Sequence, residues 1–185
     1  MVTIKAIQTA LDNANHRAPK VTQLQPSAVL VPLVERANGL QLILTQRAQH
    51  LKHHPGQISF PGGRMDDSDK NLIHTAIRET EEEVGIYEHQ IEVIGKLALQ
   101  PTITQFMIQP VVGIVKNDYQ FTVNTDEVDE AFEVPLDFLF DPTNRKKSYR
   151  EFQGIKFPLY SMPYQGRNIW GATAQIIVSF SKLLS

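Results

Sequence analysis

The chain has 185 residues, a formal net charge of -2, 42% hydrophobic and 21% charged residues. That is the make-up of one ordinary globular domain with room for a sizeable core. A charge so near zero gives no global attraction to nucleic acid or anionic membranes, and no run approaches the roughly 18 apolar residues that span a bilayer. With no Cys, disulfides, thiolate metal sites and a Cys nucleophile are excluded.

Taken from the N-terminus, Ile4, Ile7, Ala10 and Leu11 follow helical spacing and predict a helix that stops before Pro19. Lys5 and Asp12 interrupt that stretch, so a secretory leader is not expected and cytoplasm is the default location. SAVLVPLVE and LQLILTQR flank Arg36-Ala37-Asn38-Gly39, a hairpin signal. The segment HLKHHPGQISFPGG reads as a long, chemically loaded loop. A helix is expected over 69–84, capped by Ser68 or Asp69, with an apolar stripe of Leu72, Ile73, Ala76 and Ile77 and a left-handed stop at Gly85.

IEVIGKLAL and FMIQPVVGIV read as strands, Asp126–Glu133 as an acidic loop, and PLDFLF as a short helix begun at Pro135. SYREFQGIKFPLY reads as a hairpin turning at Gly154, and GATAQIIVSFSKLL as a closing helix. The reading is a single α/β or α+β domain over 1–185 with a mixed sheet, residues 1–24 forming a helical extension.

The charge pattern of the helix over 69–84 sets the functional question. At about 100° per residue, Glu79, Glu82 and Glu83 fall within an arc of roughly 100°, while Glu81 points to the far side. Like charges one helical turn apart repel, and three acids on a helix ordinarily mean only a solvated face. Here a Gly-Gly turn precedes the helix and brings backbone carbonyls, such as that of Gly62, towards the acids. Carboxylates with a carbonyl make a hard oxygen site suited to Mg²⁺ or Mn²⁺, with room left for substrate phosphates.

SFPGGRMDDSDKNLIHTAIRETEEEVGI resembles the box of the Nudix hydrolases, G-x5-E-x7-R-E-U-x-E-E-x-G-U with U apolar, through Gly63, Arg78, Glu79, Glu82, Glu83, Gly85 and Ile86. Two departures stand out. The first acid of the box is best taken as Asp69, which leaves eight residues rather than seven before Arg78, and Thr80 holds an apolar position. LILTQRAQHLKHHPGQISFPGGRMDDSD further resembles the signature of the coenzyme A pyrophosphatase branch, through Leu44, Thr45, Arg47, Leu51, His54, Gly56, Gln57, Ile58, Phe60, Asp66 and Asp69, with Ala48 and Lys52 departing from it. PTITQFMIQPVVGIV, DEVDEAFEVPLDFL and WGATAQI are also similar to that branch, so the resemblance covers about 25–180.

The resemblance implies an α/β/α sandwich around a mixed sheet. It also implies hydrolysis of coenzyme A or a derivative at its pyrophosphate, giving 3′,5′-ADP and 4′-phosphopantetheine, by water attack on phosphorus assisted by Mg²⁺ or Mn²⁺. Glu79 and Glu83 are then the principal metal ligands, with Glu82 beside them and the Gly62 carbonyl as a further donor. Glu82, or Glu127 or Glu130 of the later segment, is the candidate general base, and Arg78 pairs with a neighbouring carboxylate. Arg47 is the first candidate for a phosphate contact and is expected to read the 3′-phosphate; Lys52, His53, His54 and Gln57 follow.

Arg145-Lys146-Lys147 is a solvated loop or a phosphate site. Phe106 and Trp170 are candidates to stack on adenine, although a lone aromatic among apolar neighbours is ordinarily core. No spacing supports zinc at the His residues. Two other readings stay open: the same chemistry on another nucleoside diphosphate derivative such as ADP-ribose, and a non-catalytic ligand sensor on this fold. The partner is a small molecule; no nucleic acid or membrane contact is expected, and oligomeric state is open.

Overall fold

The computed structural model describes residues 2–14, 24–152 and 154–184. Helix α1 (Ile4–Asn13) is capped by the Thr3 hydroxyl and buries Ile7 and Leu11; the expected stop before Pro19 falls outside the described residues. Strands β1 (Gln25–Arg36) and β2 (Gly39–Arg47) form the hairpin, with Arg36 opposite Gly39. The two strands stay paired only as far as Leu33 and Leu42.

Beyond that point the hairpin forks. β3 (Ile58–Ser59) pairs with β2, and β4 (Gly62–Arg64) pairs with β1. From sequence alone this whole segment reads as loop. Two- and three-residue strands are too short to show any alternation, and only the fork gives them partners.

β1 runs parallel to β7 (Phe106–Val115), which pairs antiparallel with β5 (Ile91–Lys96) and β6 (Gln100–Pro101). β8 (Val128–Pro135) pairs antiparallel with the other edge of β2. This corrects the expected acidic loop at 126–133. Phe132 and Val134 turn into the core, and the two central acids are neutralised: Glu133 takes Arg36 at 2.6 and 3.0 Å, and Glu130 takes Arg167. A strand tolerates such acids when each has its own guanidinium.

One face of this mixed sheet is covered by α2 (Leu72–Val84), where Ala28, Leu30, Val111 and Ala76 pack, next to a second cluster of Val34, Ile43, Val84 and Ile86. The other face carries the main core. It packs against α1, α3 (Leu136–Phe140), α4 (Gly171–Leu183) and a separate antiparallel sheet of β9 (Lys146–Phe152), β10 (Ile155–Tyr164) and β11 (Arg167–Trp170). Truncating a wholly buried anchor such as Phe180 costs about 3–5 kcal/mol. The expected mixed α+β architecture is what forms; β11 is an element the sequence reading missed. Among the described residues no helix is long and apolar enough to cross a membrane.

Candidate active site

Helix α2 begins later than its sequence suggests. Asn71 is the cap, its side-chain oxygen accepting from the Ile73 and His74 backbone N–H groups. Asp69 is therefore free of capping and does something else. Its buried carboxylate accepts from Arg78 Nε at 2.9 Å and Nη2 at 3.0 Å, from the Thr75 hydroxyl at 2.9 Å and from the Asp66 N–H at 2.9 Å, and it meets His74 Nδ1 at 2.9 Å. The Arg78 hydrogen bonds hold Asp69 far below the usual carboxylate range, and Asp69 in turn holds Arg78 far above its ordinary value.

Arg78 spends its remaining donors on the Arg64 carbonyl at 3.1 Å, on Glu79 at 3.0 Å and on Glu82 at 2.8 Å. Glu82 lies on the exposed rim, its side chain 54% accessible. Glu79 and Glu83 lie further in. Gly62 N–H donates to Glu83 Oε2 at 3.2 Å, and a Cβ on Gly63 would sit 2.5–2.6 Å from the Glu79 carboxylate atoms. The Gly-Gly pair thus has two physical causes. Gly62 adopts φ 153° and a side chain there would strike the Ala28 carbonyl at 2.3 Å, whereas Gly63 leaves the space that Glu79 fills.

Unlike Asp69, these inner acids lack adequate counter-charge. Burial, then the field of Glu79, pushes Glu83 up from 4.5 to about 8, and Glu127 adds to it; Gly62 N–H and Arg47 pull the other way without winning. Glu79 is also raised, by burial against the opposing pull of Arg78, with Glu82 and Glu127 adding repulsion. The rise at Glu83 corresponds to roughly 5 kcal/mol for holding it ionised without a cation. Arg47 leaves the end of β2 into this fork, and its Nε is buried with no hydrogen-bond partner. A buried unpaired donor close to a buried acid, Glu83, with no ion-pair partner among the described residues suits a guest carrying both signs of charge, a divalent cation with a phosphate anion.

No three His, Asp or Glu side chains among the described residues converge as a ready-made metal cage. Glu79 and Glu83 are the inner carboxylates that could hold a divalent ion, and an ion such as Mg²⁺ ordinarily takes one or two protein carboxylates together with water and substrate oxygens.

The other expected residues are distributed more widely. Lys52, His53 and His54 are exposed on the loop after β2, His54 with φ 54°. Gln57 accepts Arg47 N–H through its carbonyl at 3.0 Å, and its side-chain Nε2 approaches the start of α4 at Gly171. Glu127 sits in the turn before β8, its carbonyl accepting from Ala48 N–H.

Glu130 lies on the opposite face of β8 from this group. It shares the side of Phe132 rather than of Ala131, and is bound by Arg167 at 2.5 and 2.6 Å while that guanidinium lies 4.3 Å from the Phe132 ring. Arg145 is neither solvated nor a phosphate site: it caps α3, donating to the Leu139 and Phe140 carbonyls and to Ser181 Oγ. Phe106 is half-buried with the Arg64 guanidinium 5.0 Å from its ring centre, and Trp170 is half-buried at the start of α4.

Residues 24–153, which include this whole site, match the NUDIX domain family. The chain belongs to the Nudix family. It is 39% identical over 157 residues to the Nudix hydrolase NudL of Pectobacterium atrosepticum, covering 85% of this chain and 81% of the relative, and 38% identical over 159 residues to NudL of Yersinia pestis, covering 86% and 79%. Among solved structures, a MutT/nudix family protein from Enterococcus faecalis superposes with a TM-score of 0.54 at 14% identity, over 100% of this chain and 75% of that one. A Caenorhabditis elegans Ap4A hydrolase binary complex gives 0.52 at 20% identity, over 60% and 80%; both are likenesses of fold. As a Nudix hydrolase the protein is an enzyme of a family that acts on small-molecule nucleotide derivatives and generally uses divalent metals such as Mg²⁺.

Proposed function

We propose that this Nudix hydrolase cleaves the pyrophosphate bond of coenzyme A or a derivative, releasing 3′,5′-ADP and 4′-phosphopantetheine. The observation that carries the reading is the fork between β1 and β2. There Arg47, which belongs to the coenzyme A signature, comes close enough for its charge to act on Glu83 of the Nudix box, Gly62 N–H donates to Glu83, and the Gln57 carbonyl holds the Arg47 N–H. A branch signature and a metal box that converge on one cleft support a shared substrate.

Glu79 and Glu83, with the Gly62 carbonyl as a further donor, would hold Mg²⁺ or Mn²⁺, which when bound offsets charge on the diphosphate oxygens and lowers the pKa of water. The protein's own residues supply the rest. Arg47, with its unspent buried Nε, contacts the scissile diphosphate rather than the distant 3′-phosphate, because its field acts on Glu83. Glu127 accepts the proton of the attacking water: it lies close enough to raise both inner acids yet is itself exposed, whereas Glu82 is tied to Arg78 and Glu130 to Arg167. Arg78, fixed by Asp69, positions Glu79.

The test is product analysis with Mg²⁺ or Mn²⁺ over coenzyme A, its disulfide and acyl forms, ADP-ribose and nucleoside triphosphates. Equimolar 3′,5′-ADP and 4′-phosphopantetheine are expected from coenzyme A. Turnover of ADP-ribose without coenzyme A overturns the substrate, and tight binding with no turnover of any substrate would indicate a sensor.

A further inference from the structure

With Arg47 at the reacting centre, the 3′-phosphate of the proposed substrate lacks a reader, and a cation outside the site described above has the geometry for it. Arg64 follows Gly63 directly and leaves the opposite face of β4. Its guanidinium is exposed and lies over the Phe106 ring, 5.0 Å from the centroid. Asp66 and Asp67 stand two and three residues further on. Even so, among the described residues no hydrogen bond or ion pair of the Arg64 side chain accompanies that ring contact. Its in-plane donors are unspent.

Both supports of this guanidinium are fixed. The Arg64 carbonyl accepts from Arg78 Nη2 at 3.1 Å, so the same arginine that positions Glu79 also pins the strand from which Arg64 departs. Phe106 is held by a tight turn: Thr102 Oγ1 accepts from Phe106 N–H at 3.0 Å, Thr102 N–H donates to the Phe106 carbonyl at 2.9 Å, and Gln105 closes the turn at φ 66°. A guanidinium stacked on a ring keeps its edge available for a planar two-point grip on phosphate and loses less side-chain entropy when it binds.

We infer that Arg64, propped on Phe106, reads the phosphate monoester on the ribose of the substrate. The diphosphate lies against Glu79 and Glu83 on one side of the β4 end, and the adenosine half bends around that end to reach Arg64 on the other. This rests on the coenzyme A reading, and its test separates the two. KM and kcat are measured for coenzyme A and for 3′-dephospho-coenzyme A with the wild type, R64Q, R64K and F106L.

Arg64→Gln is expected to raise KM for coenzyme A about tenfold, the worth of a charge-assisted hydrogen bond, and to abolish the wild type's KM preference for it over the dephospho form. R64K should keep part of the preference, charge without the fork, and F106L should weaken it in the same direction. A wild type that turns over coenzyme A with no preference between the two forms, or an R64Q enzyme whose preference persists, overturns the inference while leaving the coenzyme A reading intact. No cleavage of coenzyme A by the wild type overturns that reading itself.

Discussion

The two sides of helix α2 hold similar acids in opposite conditions. On the outer side, the Asp69 carboxylate is wholly buried, yet two donors of the Arg78 guanidinium, the Thr75 hydroxyl, the Asp66 N–H and His74 surround it and keep it ionised. On the inner side, Glu83 is equally buried but meets one backbone N–H and the fields of two further acids, so it takes up a proton near neutrality. The difference teaches which acids hold the fold and which wait for a guest. A buried charge with a partner is structure; a buried charge without one is a site whose missing partner comes from solution.

Variants can break this contrast. The largest effect belongs to Glu83→Gln, expected to lower kcat by about a thousandfold or more, as for loss of a central electrostatic group, while the fold survives. Its stability change runs the other way. Glu83 has a folded pKa above its unfolded value of 4.5, so the metal-free wild type loses stability as pH rises from about 4.5 to about 8. Metal-free E83Q should equal the wild type near pH 4.5 and exceed it increasingly up to pH 8, then hold a constant margin. Thermal melts with chelator across that range check it; a variant less stable than wild type at pH 8 would refute the inner-acid account.

Next, Glu127→Gln should cost about a hundredfold in kcat, in keeping with a lost general base. Tm should hardly move, because the Glu127 side chain is exposed.

On the outer side the currency is stability. Asp69→Ala removes the buried carboxylate that takes two of Arg78's donors, leaving it only Glu79, Glu82 and the Arg64 carbonyl, and should cost about 3 kcal/mol, or roughly 10 °C in Tm for a chain this long, with activity falling because Arg78 no longer holds Glu79 in place. Because Asp69 has a depressed pKa, its contribution is present above pH 4 and fades as the solution is acidified below that. The smallest effect is expected at Glu82, whose exposed pair with Arg78 is worth about 0.5 kcal/mol. A large kcat loss in E82Q would move the general base from Glu127 to Glu82.

The placement of the inner acids was legible in the sequence because helical spacing fixes an arc once the helix is assigned, and the Arg78–Glu83 run left no doubt about register. The role of Asp69 was not. Asp and Asn both cap helices, and only the folded chain shows Asn71 taking that place and Asp69 turning inward. β8 was hidden by its acids, since Glu130 and Glu133 look like loop residues until Arg167 and Arg36 come from 37 and 97 residues away to neutralise them. Arg145 looked like part of a basic run, but its neighbours in space are the carbonyls ending α3. Non-local partners, not local propensity, decided each of these.

The most direct test of the central claim is a calorimetric titration of Mn²⁺ into the substrate-free protein at pH 7, repeated in buffers of different ionisation enthalpy. If the inner acids wait for a divalent cation, the wild type binds Mn²⁺ with release of close to one proton, that of Glu83, and E83Q binds far more weakly and releases none. Equal binding by both proteins, or binding without proton release, would contradict it.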